Sequence, residues 1–146
     1  MTARRELEVL VHGLQFGEGP RWHDGLLWYS DFYAYKVRTV DLQGTVRDIA
    51  DVANQPSGLG FDPEGRLLIV SMLDRRLLRQ AADGALEEVG DLSGVVSAPC
   101  NDMVVDAQGR AYVGNFGFER HKGTTRRPPA SGASTRTAPS MRRRRS

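Results

Sequence analysis

A spaced repeat governs what this chain can fold into. Three segments align with one another: Trp22-His-Asp-Gly-Leu-Leu-Trp-Tyr-Ser-Asp31, Phe61-Asp-Pro-Glu-Gly-Arg-Leu-Leu-Ile-Val-Ser-Met72 and Val105-Asp-Ala-Gln-Gly-Arg-Ala-Tyr-Val-Gly-Asn115. Their turn glycines Gly25, Gly65 and Gly109 are spaced by 40 and 44 residues, and a second turn recurs 40 residues apart at Gly44 and Gly84. Apolar runs such as Leu26–Tyr29 and Leu67–Val70 are bounded by Asp/Gly turns, the pattern of hairpins. Val37–Asp41 and Leu77–Ala81 supply a next strand in each unit, and Thr45–Ile49 and Leu86–Val89 another. Four short strands in about 40–45 residues make the blade of a β-propeller. The sequence therefore predicts an all-β chain, with two full blades and the start of a third between residues 14 and 119.

The charge is divided along the chain. All 18 acidic residues lie at or before Glu119, whereas residues 120–146 carry nine Lys/Arg and no acid. The apparent pI near 9.0 belongs to that final stretch and not to the repeat region. Apolar runs reach about five residues, far short of the roughly 20 needed for a membrane helix. The N-terminus has no apolar stretch of signal-peptide length. With these features the expected setting is soluble and cytoplasmic. The single Cys100 excludes an internal disulfide framework and a multi-thiolate zinc site. The three histidines, His12, His23 and His121, have no ligand-pair spacing.

Several motifs carry a resemblance when taken together. Gly13-Leu-Gln-Phe-Gly-Glu-Gly-Pro-Arg-Trp22, followed by Leu27-Trp-Tyr-Ser-Asp31, resembles the opening of the senescence-marker-protein, gluconolactonase and luciferin-regenerating-enzyme family. Pro56-Ser-Gly-Leu-Gly60, Asn101-Asp-Met-Val-Val-Asp106 and Gly109-Arg-Ala-Tyr-Val-Gly114 follow in the family's order and spacing. The likeness covers roughly residues 10–119. It implies a six-bladed propeller, of which this part forms about two and a half blades. It also implies a divalent metal in the central channel, calcium first, with zinc, magnesium or manganese as alternatives. The implied activity is hydrolysis of sugar lactones or related esters, so the expected partner is a small-molecule lactone or ester.

Glu18 is the first candidate ligand. On its Gly/Pro surroundings alone it reads as an exposed acid in a turn; the resemblance instead implies a metal ligand. The chemistry suits that role, because a hard divalent ion prefers carboxylate and amide oxygens, and flanking glycines let the backbone turn. Asn101 is implied as a metal or substrate ligand through its side-chain oxygen, with Asp102 orienting the loop. By spacing alone the Asn-Asp pair also reads as an ordinary Asx turn. Both candidates are expected to open inner strands that face the channel. Pro56–Gly60 holds the matching place in the second blade and reads as structural. Some family members have an arginine two residues before the asparagine; this chain has Pro99, so that substrate contact is not expected.

The family's remaining ligands, an Asn and an Asp from later blades, would fall beyond residue 119, and residues 120–146 contain neither. No catalytic residue is therefore assigned, and the chain as written is expected to be a truncated fragment with little or no activity. Nucleophilic schemes find no support: there is no Gly-x-Ser-x-Gly elbow, His23 reads as a turn histidine, and Cys100 has no activating base in view. The Arg/Pro/Ala/Ser/Thr-rich residues 120–146 are expected to be disordered. They read first as out-of-frame translation of a GC-rich sequence, consistent with 18 Arg against 2 Lys. The alternatives are a functionless tail, or a basic arm for nucleic acid or other anions on a non-catalytic scaffold. The segment lacks aromatic residues for stacking on bases, so nucleic acid is not the expected partner.

Overall fold

A computed structural model describes residues 6–117. The proposed boundary at 119 and the expected disorder of 120–146 lie outside these residues. Among the described residues ten strands form three antiparallel sheets. The first contains β1 (Gly17–His23), β2 (Leu26–Asp31), β3 (Lys36–Val40) and β4 (Val46–Asp51), hydrogen-bonded in chain order. The second repeats that meander with β5 (Pro56–Phe61), β6 (Leu67–Ser71), β7 (Arg76–Gln80) and β8 (Leu86–Asp91). The third pairs β9 (Cys100–Val105) with β10 (Ala111–Asn115). The repeat thus marks its strands to within about two residues. The structure adds a short 3-10 turn, Phe32–Ala34, which lay hidden because its aromatic residues continue the apolar pattern.

Local chemistry explains the repeating turns. At Asp24-Gly25 both residues have positive φ, 48° and 76°, and connect β1 to β2 in a two-residue hairpin. Such a turn follows the right-handed strand twist and favours Asp-Gly. The longer loops start at Asp41, Asp62 and Asp106, whose carboxylates each accept two backbone N–H groups. Each closes on a left-handed glycine, Gly44, Gly65 or Gly109, whose N–H donates to the carbonyl of that aspartate.

The middle sheet is buried on both faces, which explains the unbroken apolar run of β6. Leu67 and Ile69 pack with Val37, Val52 and Leu59 in the layer shared with the first sheet. Leu68 and Val70 point the other way, into a layer with Leu77, Leu92, Cys100, Met103 and Ala111 shared with the third. Alternate residues of a strand face opposite sides, so one strand feeds both cores. His23, expected as a turn residue, also stacks on Phe61 across the first of these layers, with ring centroids 3.7 Å apart. Among the described residues no helix is long and apolar enough to cross a membrane.

Carboxylates tied into turns and ion pairs set the acid response. The carboxyls of Asp41, Asp48 and Asp106 are held below the usual range, Asp41 and Asp106 first by backbone N–H groups and Asp48 by Lys36 and Arg38. Asp91 is lowered to about 2, chiefly by the Ser93 hydroxyl and N–H, then by Arg76. Because folding lowers these values, the unfolded chain binds protons first as pH drops. Their stabilisation is present above the ordinary aspartate value and lost on approaching pH 2. Thermal unfolding from pH 5 to pH 2 is expected to show a falling midpoint, with a shallower fall in Asp91→Asn. Each exposed pair contributes modestly; an unchanged midpoint over this interval would refute the expectation.

Candidate functional site

The inner strands β1, β5 and β9 lie side by side, one from each sheet. Close approach requires small residues. A Cβ on Gly58 would sit 2.4 Å from the Met103 nitrogen and 2.8 Å from Asp102 backbone atoms. At Gly19, where φ is +60°, a Cβ would sit 2.8 Å from the Ser57 carbonyl oxygen. Side-chain ties join β2 to β5 and β1 to β9. The Ser30 hydroxyl donates to the Ser57 carbonyl at 2.7 Å, and Arg21 reaches Asp102 at 2.8 Å and the Met103 carbonyl at 2.5 Å.

Each inner strand carries a pairing irregularity near its entry: between Glu18 and Arg21, between Pro56 and Leu59, and opposite Cys100–Met103. Bulges of this kind re-aim side chains that regular alternation would send elsewhere. Glu18 is the second residue of β1, and Asn101 is the second of β9, one place later than the expected opening positions. Both line a cleft of about 350 Å³ with Phe16, Phe32, Met72 and Phe116. Pro99, at the position where some family members have an arginine, also lines it.

Glu18 is half-buried, and its carboxyl is raised above the ordinary value. Desolvation is the largest cause; a hydrogen bond with the Ser57 side chain opposes it, and the negative charge of Asp102 adds to it. Its Oε1 is buried without a hydrogen-bond partner. Leaving such an oxygen unpaired is costly, and a cation would relieve both that cost and the charge. Asn101 presents Oδ1, which accepts from the Ser57 hydroxyl at 3.2 Å. Asp102 instead accepts from Met103 N–H and Arg21, tying β9 to β1. Ser57 was read as structural from sequence, yet its hydroxyl lies between the two candidates; its matching position in the second unit was the available signal. Burial pushes the Cys100 thiol up to about 11, leaving it protonated near neutrality and a poor nucleophile.

The oxygen donors suit a hard cation in kind. In number they fall short: calcium takes six to eight oxygens, and the described residues contain no cluster of three or more His, Cys, Asp or Glu suited to a metal.

Stacked four-stranded meanders with inner strands converging on a cleft define a propeller-like all-β protein. The sequence matches the SMP-30/Gluconolactonase/LRE-like region over residues 16–145, and the chain belongs to that family. Solved structures share the fold. A gluconolactonase from Xanthomonas campestris is 24% identical with a TM-score of 0.63, over 71% of this chain and 36% of that one. Regucalcin, a calcium-binding protein from Agrobacterium tumefaciens, is 24% identical with a TM-score of 0.53, over 66% of this chain and 37% of its own. Virginiamycin B lyase from Staphylococcus aureus is 11% identical with a TM-score of 0.57, over 68% and 34% respectively. The chain thus spans little more than a third of the length of these structures. No curated protein sequence matches it.

Proposed function

We propose that this chain carries the opening part of a divalent-metal-dependent hydrolase site of the gluconolactonase type, acting on sugar lactones or related esters. On this reading residues 6–117 form about two and a half blades of a six-bladed ring. The observation that carries it is the buried, unpartnered Oε1 of Glu18 at a cleft that Asn101 also lines. Glu18 and Asn101 would hold the ion, with calcium favoured by oxygen donors and zinc, magnesium or manganese as alternatives. Lewis-acid polarisation of an ester carbonyl is the chemistry such an ion supplies.

The chain's own residues have narrower tasks. Glu18 provides the charge, Asn101 a neutral oxygen able to orient an ion or a substrate hydroxyl, and the apolar rim of Phe16, Phe32 and Phe116 limits water around them. Two protein oxygens hold calcium weakly beside the six to eight of a full site, so the 146-residue chain by itself turns over slowly or not at all. The test combines calcium titration with an aldonolactone panel, assayed with and without calcium. Glu18→Gln is expected to remove calcium binding and any calcium-dependent turnover while leaving the β-sheet circular dichroism intact. Equal calcium binding by the wild-type and Glu18→Gln chains would overturn the proposal.

A further inference from the structure

We propose that Ser57 is a positioning residue of this site, holding the Glu18 carboxylate and the Asn101 amide in facing orientations before an ion arrives. The inference rests on the divalent-metal reading above. Ser57 is only 1% exposed, and it enters from β5, between the strands that carry the two candidate ligands. Its hydroxyl donates to Asn101 Oδ1 at 3.2 Å and also forms a hydrogen bond with the Glu18 side chain. Both neighbours present acceptor oxygens, and a hydroxyl has one proton, so rotation about the Cβ–Oγ bond lets that proton turn to either or lie shared between them. Its backbone is fixed independently: β5 pairs with β6, and the adjoining Gly58 lies hard against β9. A short side chain on an immobile backbone can therefore set the direction of two longer ones.

The role differs from simple packing. Groups that orient metal ligands typically change metal affinity by about 10–100-fold when removed. Ser57→Ala deletes the hydroxyl with almost no change of volume. Ser30→Ala removes a hydrogen bond to the same backbone and leaves the Ser57 hydroxyl in place. Terbium serves as the probe: it is a hard, oxygen-seeking ion whose luminescence is excited through nearby Tyr33, which lines the cleft. With the full chain, Ser57→Ala is expected to weaken terbium binding at least about tenfold, whereas Ser30→Ala stays within about twofold of wild type. In the metal-free protein, Ser57→Ala should also shift the Asn101 side-chain amide resonances, which Ser30→Ala should leave in place.

Three outcomes are decisive. Loss in Ser57→Ala alone, with the Asn101 shift, supports the positioning role. Wild-type binding that Glu18→Gln abolishes but Ser57→Ala preserves, or an equal loss in both serine variants, overturns this inference and leaves the metal reading standing. No terbium binding by the wild-type chain overturns both.

Discussion

Gly58→Ala is expected to destabilise the chain by about 3 kcal/mol, at the upper end of overpacking costs, or to prevent the third sheet from docking. The added methyl would have to occupy space 2.4 Å from the Met103 nitrogen. The obstacle is backbone, so no rotamer change can relieve it. Strand β9 must retreat, carrying Asn101 away from Ser57. Urea unfolding of Gly58→Ala beside Gly94→Ala checks this, because a Cβ at Gly94 meets nothing within 4 Å. Gly94→Ala should be neutral or slightly stabilising through reduced freedom of the unfolded chain. Equal midpoints for the two variants would refute the packing argument.

Asp31→Ala is expected to cost about 3–5 kcal/mol, the range for breaking a buried ion pair from one side. The Asp31 side chain is fully buried. One oxygen accepts the N–H groups of Gln15 and Phe16, and the other accepts from Arg38 at 2.7 Å. The substitution therefore strands two backbone donors and removes a partner of the guanidinium. Arg38 retains Asp48 as a partner, so the lower half of the range is expected. Gln15 and Phe16 lead directly into β1, and Asp31 consequently fixes the approach to Glu18. Combining Asp31→Ala with Arg38→Met should cost less than the two single changes added together, as for groups in one network. Strict additivity in thermal unfolding would show that the pair does not act as a unit.

Much of the architecture was legible because its causes are local. Asp-Gly turns announce themselves through left-handed backbone and carboxylate caps, and β6 announces its double burial through Leu67-Leu68-Ile69-Val70. The candidate site was legible in part. Motif resemblance singles out Glu18 and Asn101 as candidates, and both line the same cleft. Ser57 was passed over because Pro-Ser-Gly is an ordinary turn composition. Strand alternation also fails at a bulge, so its direction was not readable from period-two logic. Asp31 ends a motif without showing its role: its bonds to Gln15 and Phe16 span 16 and 15 residues and leave no periodic trace.

Glu18, Ser57 and Asn101, each the second residue of its inner strand, lie outside both inter-sheet apolar clusters and present a carboxylate, a hydroxyl and an amide. Units that agree in their turns and cores are thereby free to disagree in chemistry. A substitution at one such entry need not disturb the apolar layers that hold its neighbours. Duplication of a blade copies a socket along with its scaffold, and the copies can then diverge into a division of labour: one charged, one orienting, one neutral and oxygen-bearing.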